Sequence, residues 1–177
     1  DEILENLDKC LICPNHSNSV EPTWIYVKSE NVSIMAKAEL FKTKFWAKIF
    51  TYFDVFPINR GEHDIRSLIH AINLFKNVEK RKLLVFPEGK RLSKKEARAQ
   101  AKVGPVYIAS KVKVPIVPVY ITKNAKLFSK VVIIFGKPIT VPEDIVKDKE
   151  KLQNFANKIM DDIYDMGDNY YKKEKIK

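Results

Sequence analysis

Three short segments of the chain combine groups that could move a proton with groups that could bind an anion. In chain order these residues are Asn15, His16 and Glu21, then Arg60, and then Glu88, Gly89, Lys90 and Arg91. An imidazole gains and loses a proton near neutral pH, so His16 could act as a general base. Guanidinium and ammonium groups suit a phosphate monoester. The residue types therefore fit proton transfer on an anionic substrate, although each also has an ordinary surface interpretation.

The histidine and the glutamate that follows it interact only if the chain bends between them. On a regular helix, five residues separate two side chains by roughly 140°, so a hydrogen bond from His16 to Glu21 requires an irregular segment. The alternative is an exposed loop histidine beside a helix start, where a glutamate is favourable. Arg60 could likewise be a solvated residue at the end of a strand. Glu88 is harder to explain in this way, because it follows a buried apolar strand directly.

Apolar stretches bounded by turn residues alternate with segments of helical periodicity. Strands are predicted at residues 10–13, 32–36, 55–58, 83–86, 114–121 and 131–135. Helices are predicted at residues 41–53, 65–75, 96–111 and about 143–170, with a kink or a division at Pro105 and a frayed tail over 170–177. This alternation predicts an α/β fold, a single domain over residues 1–177 whose mainly parallel or mixed central sheet is flanked by helices on both faces.

The predicted sheet determines where the candidate residues should meet. His16, Arg60 and Glu88 each follow a predicted strand closely. Ligands of open α/β sheets bind beyond the carboxyl ends of the strands. We therefore expect the histidine, the carboxylates and the cations to converge on one edge of the sheet.

Composition narrows the class of partner. The 177 residues are 45% hydrophobic, which suffices for a core, and 32 Lys and Arg against 22 Asp and Glu give a formal charge of +10. Such an excess of positive charge indicates an anionic partner, which could be nucleic acid, an acidic membrane face or a phosphorylated substrate. No run approaches the roughly 18 apolar residues of a spanning helix, and residues 1–8 are unlike a signal peptide. We therefore expect a soluble or peripheral protein.

Several other chemistries lack their sequence signature. The five glycines form no nucleophile elbow, P-loop or dinucleotide-binding turn. Cys10, Cys13 and His16 have the spacing of metal ligands, but residues three apart on a strand point to opposite faces. His63 and His70 lie in or near an amphipathic helix, where a surface position is the simpler interpretation. We predict no metal site.

Four motifs in this order resemble those of the glycerolipid acyltransferases, specifically the 1-acyl-glycerol-3-phosphate acyltransferase family. The first, N-H-x-x-x-x-D, is matched by Asn15, His16 and Glu21; the second, an apolar strand ending in arginine, by residues 56–61; the third, F-P-E-G-T-R, by residues 86–91; the fourth, of V-P-I-V-P-V type, by residues 114–119. The similarity runs from about residue 10 to residue 138. Two positions depart from the family pattern, because Glu21 replaces aspartate and Lys90 replaces threonine or serine.

This resemblance implies an O-acyltransferase that moves a fatty acyl group from a thioester to the sn-2 hydroxyl of lysophosphatidic acid, giving phosphatidic acid for phospholipid synthesis. His16 would remove the hydroxyl proton, and Glu21 would orient the imidazole. The resemblance assigns substrate binding to Arg60, Glu88, Gly89, Lys90 and Arg91. Acyl-CoA or acyl carrier protein would supply the acyl group, and neither a cofactor nor a metal is expected because a thioester is already activated.

The resemblance and the basic charge together imply contact with an anionic membrane, and hence a cytoplasmic protein peripheral to its inner face. In the helix predicted over residues 41–53, aromatic residues such as Phe45 and Trp46 are interleaved with lysines. This helix could lie in the membrane interface, or its aromatic side could belong to the core.

Other functions stay open from the sequence. An acyltransferase-like lipid-binding protein with weakened catalysis is one, and an enzyme for glycerol-3-phosphate or another lysophospholipid is a second. A basic nucleic-acid-binding domain is a third, but the lysines are scattered and no recognised motif occurs, so we expect no nucleic-acid partner.

Overall fold

The computed structural model describes residues 2–59, 64–99, 101–122 and 131–176, and these form a six-stranded sheet flanked by helices. The strands are β1 (Lys9–Pro14), β2 (Val32–Lys37), β3 (Val55–Ile58), β4 (Arg81–Leu84), β5 (Ile116–Ile121) and β6 (Ile133–Phe135). Across the sheet their order is β3-β2-β4-β1-β5-β6, with the first five parallel and β6 antiparallel to β5. The predicted α/β fold with a mainly parallel sheet is confirmed.

Helices occupy most of the remaining described chain. They are α1 (Glu2–Glu5), α2 (Glu21–Tyr26), α3 (Lys44–Tyr52), α4 (Ile65–Asn73), α5 (Lys94–Ala99), α6 (Gly104–Val112) and α7 (Lys149–Ile176). The helix predicted over residues 96–111 is divided, as Pro105 indicated. Pro105 lies in the first turn of α6, where its missing N–H leaves no hydrogen bond unmade.

Alternation along the central strands separates the described core into two clusters. In β1, Leu11 and Cys13 belong to the cluster covered by α4, α6 and α7, whereas Cys10 and Ile12 belong to the cluster that includes Ile25 of α2. Successive strand residues point to opposite faces, so a strand buried on both sides is a continuous apolar run. This is why the apolar runs at residues 10–13 and 83–86, which overlap β1 and β4, could be recognised as strands from the sequence.

The helix predicted over residues 41–53 begins later and is not part of the core. Residues 38–41 form a 3₁₀ turn, and α3 starts after Thr43, whose side-chain oxygen accepts the Trp46 main-chain N–H at 3.3 Å. All nine residues of α3 are described, and none is buried. The core interpretation of this helix is therefore wrong.

The C-terminal helix is shifted relative to its predicted position at about 143–170. The Asp148 carboxylate accepts the main-chain N–H groups of Glu150 and Lys151 at 3.0 and 3.1 Å, so the helix begins after this cap. The predicted fraying is wrong for residues 170–176, because α7 continues through Ile176; residue 177 lies outside the described residues. The Tyr171 ring packs against Tyr120 of β5 with centroids 6.4 Å apart, and this contact holds the end of the helix on the sheet.

Candidate active site

The segments after β1 and β4 meet because these strands are parallel neighbours. Ile12 pairs with Leu84 in the sheet, so both chains leave it at the same edge. Beyond that edge, the His16 main-chain N–H donates to Oε1 of Glu88 at 2.9 Å. The structure thus brings together two predicted site residues that lie 72 positions apart in sequence.

Asn15 fixes the path of the chain just before the histidine. Its side chain is fully buried; Nδ2 donates to the carbonyl of Ile121 at 3.1 Å, and Oδ1 accepts the Ile121 N–H at 2.7 Å. The amide therefore continues the hydrogen bonding between β1 and β5 past the end of the strand. This supplies a physical reason for asparagine beside the histidine.

His16 and Glu21 are in direct contact. His16 Nδ1 lies 3.0 Å from Oε2 of Glu21, which is fully buried at the start of α2. The Ser17 main-chain N–H reaches both carboxylate oxygens at 3.0 Å, and the Ser17 hydroxyl donates at 2.5 Å. The bent segment that the sequence required is present, and the longer glutamate reaches the ring.

The position of the imidazole suits a general base. A carboxylate only accepts hydrogen bonds, so the Nδ1 proton belongs to the contact with Glu21 and Nε2 of the neutral ring keeps its lone pair. The ring packs against Phe86 with centroids 4.2 Å apart, and the side chain is only 13% exposed. The alternative of an exposed loop histidine is therefore wrong.

Glu88 is a buried carboxylate held from two sides. Its Oε1 accepts the His16 main-chain N–H and the Tyr164 hydroxyl, each at 2.9 Å. Burial raises the pKa of Glu88, whereas these two donors and the Leu92 main-chain N–H lower it. The hydrogen bonds from these donors therefore stabilise the charged form of Glu88 against the effect of burial.

Sequence reasoning missed Tyr164. It lies 76 residues from Glu88, and its spacing from other apolar residues indicated only that it belongs to the C-terminal helix. Its ring is buried, with 2% exposed. No sequence pattern distinguishes a buried tyrosine whose hydroxyl reaches an active-site carboxylate from one that only packs.

Gly89 turns the chain after Glu88. Its φ of +68° lies in the left-handed region, and its N–H donates to the Phe86 carbonyl at 3.0 Å. A Cβ at this position would lie 3.1 Å from Cγ of Lys102, so a side chain would meet both strain and crowding. The aliphatic part of Lys102 therefore covers this turn.

The cations of the third motif are available to a ligand. Lys90 and Arg91 are exposed, and neither forms an ion pair with an acidic group in the parts of the chain that the structure describes. Arg60, the cation of the second motif, lies outside the described residues. The strand before it, β3, ends at the same edge of the sheet as β1. The two strands are three positions apart in the sheet, which corresponds to about 14 Å at the usual spacing between strands.

The described residues contain neither a metal-binding cluster nor a helix that could cross a membrane. Within residues 2–59, 64–99, 101–122 and 131–176, no group of three or more His, Cys, Asp and Glu side chains is placed to hold a metal ion. In the same residues, no helix combines the length and the apolar character that crossing a membrane requires.

Similarity to known proteins agrees with this geometry. A curated relative, the 1-acyl-sn-glycerol-3-phosphate acyltransferase of Streptococcus pneumoniae (strain ATCC BAA-255 / R6), is 27% identical over 166 residues, which are 90% of this chain and 61% of the relative. The chain thus spans about three fifths of that protein. The crystal structure of the 1-acyl-sn-glycerophosphate (LPA) acyltransferase PlsC from Thermotoga maritima has the same fold, with a TM-score of 0.66 and 21% identity over 94% of this chain and 69% of that chain.

The sequence model of a known family matches the first two thirds of the chain. This model, described as Acyltransferase, covers residues 1–122, which include all four motifs. The matched part contains His16, Glu21 and Glu88, which the fold brings to one edge of the sheet. The family resemblance seen in the sequence is thereby confirmed, and the chain belongs to the acyltransferase family.

Proposed function

We propose that this protein transfers a fatty acyl group from a thioester to the sn-2 hydroxyl of lysophosphatidic acid, forming phosphatidic acid and a free thiol. The observation that carries this proposal is the contact of His16 Nδ1 with buried Glu21, at 3.0 Å, beside Glu88 at the carboxyl edge of a parallel sheet. The names of the two similar acyltransferases support the choice of acceptor.

The reaction needs one base and no covalent enzyme intermediate. Nε2 of His16 takes the proton of the acceptor hydroxyl as its oxygen attacks the thioester carbonyl. The carbon–sulfur bond then breaks, and the departing thiolate takes the proton back from the imidazolium. Glu21 stabilises the imidazolium through Nδ1–H, as a carboxylate does in hydrolase triads.

The acceptor phosphate is assigned to the cations at the same edge. Lys90 and Arg91 have exposed side chains that form no salt bridge among the described residues, and a guanidinium binds a phosphate through two parallel hydrogen bonds. Arg60 belongs to this set by its motif. Glu88 and Gly89 shape the acceptor site, because the tight turn at Gly89 determines where the two cations after it leave the sheet.

The donor is acyl-CoA or acyl carrier protein, and no cofactor or metal enters the proposed mechanism. Both donors present a thioester, whose thiolate is a good leaving group. The net charge of +10 suits either anionic donor.

The exposed aromatic surface of α3 is proposed to bind an anionic membrane, which would place the protein on the inner face of the cytoplasmic membrane. Phe45 and Trp46 are 67% and 51% exposed, with ring centroids 5.4 Å apart. Lys42, Lys44 and Lys48 beside them are also exposed. Each basic residue near an anionic leaflet contributes around 1 kcal/mol, and aromatic residues anchor a helix in the interface. This contact would bring the site to a lipid substrate.

A panel of acceptors tests the proposed reaction. The protein is incubated with a labelled acyl thioester and either lysophosphatidic acid, glycerol-3-phosphate or monoacylglycerol, with His16→Ala as the blank. We expect phosphatidic acid from lysophosphatidic acid and little product from monoacylglycerol, which has the same glycerol and acyl chain without the phosphate.

Other outcomes of the acceptor panel would change the proposed acceptor or refute the proposed catalysis. A preference for glycerol-3-phosphate would change the acceptor and keep the chemistry. Equal product from wild type and His16→Ala would refute the catalytic assignment. Binding of lysophosphatidic acid without any product would identify a lipid-binding protein with weakened catalysis.

A further inference from the structure

Tyr164 brings the C-terminal helix into the active site. It lies on α7, beyond residues 1–122 that the family model matches. Its ring is almost completely buried, and its hydroxyl donates to Oε1 of Glu88 at 2.9 Å. A residue outside the motifs thus contacts a motif residue directly.

The oxygen that accepts the tyrosine hydroxyl is also the oxygen that holds the histidine segment. Oε1 of Glu88 accepts the His16 main-chain N–H at 2.9 Å. The two donors reach this atom from different elements, α7 and the segment between β1 and α2. A shift of the carboxylate would therefore move or release the backbone that carries the imidazole.

The position of Tyr164 is fixed by packing on either side of it. One turn later, a Cβ on Gly167 would lie 2.3 Å from the Tyr120 ring of β5, so the absence of a side chain allows α7 to lie close to the sheet. The Arg98 guanidinium lies 5.7 Å from the centre of the Tyr164 ring. Arg98 also pairs with Asp161 at 2.7 Å and Asp165 at 2.6 Å, which ties α5 to the same stretch of α7.

We propose that Tyr164 is a positioning residue for the active site, whose hydroxyl holds the Glu88 carboxylate where it anchors the His16 main chain. This inference rests on the proposed function for its effect on catalysis. It assigns α7 a part in acyl transfer that the motif residues alone do not reveal.

The Tyr164 hydroxyl stabilises the charged form of Glu88, so its removal should have a measurable effect on the protonation of that carboxylate. Burial raises the pKa of Glu88, and the Tyr164 hydroxyl is one of the groups that lower it. Removing the hydroxyl leaves the buried carboxylate with fewer donors, so Glu88 should take up a proton at a higher pH. The titratable and charged groups around this pair are His16 and Glu21 from the segment after β1 and the start of α2, Arg98 from α5 and Tyr120 from β5.

Tyr164→Phe removes the hydroxyl and keeps the ring. In protein labelled with ¹³C at the glutamate carboxyl carbon, NMR follows the protonation of Glu88 with pH. We expect the Glu88 midpoint to move to higher pH in Tyr164→Phe, and kcat for acyl transfer to fall about tenfold with KM for the acceptor unchanged. The matched control is Tyr170→Phe, the same change on the same helix at a residue whose ring packs on Tyr171; it should alter neither quantity.

A double-mutant cycle shows whether Tyr164 acts through Glu88. Added to Glu88→Ala, which removes the oxygen that accepts both hydrogen bonds, Tyr164→Phe should lower kcat much less than it does in the wild-type background, because the contact through which Tyr164 acts is already absent. An equal loss in both backgrounds would overturn the inference. So would an unchanged Glu88 midpoint together with an unchanged kcat, even if the melting temperature falls, because that combination describes a tyrosine that only packs.

Failure of this inference is distinguishable from failure of the proposed function. If wild-type protein forms no phosphatidic acid, the proposed function is refuted and the Glu88 titration alone decides the role of Tyr164. If wild type is active and both readouts are unchanged in Tyr164→Phe, the function stands and the positioning role is refuted.

Discussion

The buried part of the site and the surface around it are organised in opposite ways. In the interior, Glu21 and Glu88 are fully buried, and each accepts hydrogen bonds from at least two residues. On the surface, Lys90 and Arg91 are exposed and form no salt bridge among the described residues, and α3 presents aromatic rings to solvent. The interior hydrogen bonds are formed without a substrate, whereas the exposed cations and aromatic rings leave surface that a ligand can contact.

This difference indicates a division of roles. Chemistry at one atom requires fixed geometry, and a displacement of about 1 Å can cost a hundredfold in rate. Binding a phosphate or a membrane depends on summed charge and apolar area, which tolerate movement. Changes in the interior should therefore act on kcat, and changes on the surface should act on KM, membrane binding and salt dependence.

Replacing the histidine should produce the largest effect. His16→Ala removes the base, and we expect kcat to fall by about 10²–10⁴ with little change in the acceptor KM. His70→Ala, at an exposed histidine on α4, is the matched control and should keep wild-type kcat. A loss of less than tenfold in His16→Ala would mean that another group is the base.

Shortening or neutralising the partner of the histidine should have the next largest effect. Glu21 reaches Nδ1 at 3.0 Å, so Glu21→Asp withdraws the carboxylate by one methylene even though it restores the usual family residue. We expect both Glu21→Asp and Glu21→Gln to lower kcat about tenfold or more, as loss of a hydrogen bond to a charged group does. Faster turnover in Glu21→Asp would show that glutamate is a poor fit at this position.

Removing the exposed cations should change binding and spare the chemistry. In Lys90→Ala/Arg91→Ala we expect the KM for lysophosphatidic acid to rise about tenfold, with kcat within about twofold. The control removes two other positive charges, Lys111 and Lys113, at the end of α6 just before β5 begins, and thus at the opposite edge of the sheet. An equal rise in KM in the control would show that net charge, and not the position of Lys90 and Arg91, causes the effect.

Removing the aromatic rings of α3 should weaken membrane binding moderately. We expect Phe45→Ala/Trp46→Ala to bind vesicles of anionic phospholipid about fivefold less tightly with an unchanged melting temperature, because both side chains are exposed. Sedimentation with vesicles measures this. Ile65→Ala/Ile69→Ala, which removes two exposed apolar side chains from α4, should bind normally; if it loses as much affinity, α3 is not the specific contact.

The smallest expected effect is on the pH dependence of stability. Burial raises the pKa of Glu88, so the folded protein keeps a proton at pH values where the unfolded chain has lost it, and this group favours unfolding more strongly as pH rises. The stability of wild type relative to Glu88→Gln should therefore decrease in urea titrations as the pH rises above the ordinary glutamate pKa of about 4.3. A relative stability that increases over this range would contradict the direction of the shift.

Much of the fold and part of the site could be predicted from residue patterns. Continuous apolar runs identified β1 and β4, and the rule that parallel strands end at one edge brought His16 and Glu88 together. The rule about strand ends could not predict the contact of Tyr164, because its hydroxyl reaches Glu88 through the packing of α7 on β5. Helix α3 was undecided because an apolar stripe is the same whether it faces a core or a membrane. The role of Arg60, outside the described residues, stays a prediction.

The stoichiometry of a single turnover tests the central claim most directly. Wild-type enzyme in excess is mixed with a labelled acyl thioester, with and without lysophosphatidic acid, and free thiol and phosphatidic acid are quantified in the same quenched samples. A buried imidazole that activates the acceptor hydroxyl predicts one phosphatidic acid for each thiol, and little thiol when the acceptor is omitted. Thiol released equally fast without acceptor, or without matching phosphatidic acid, would contradict acyl transfer at this site.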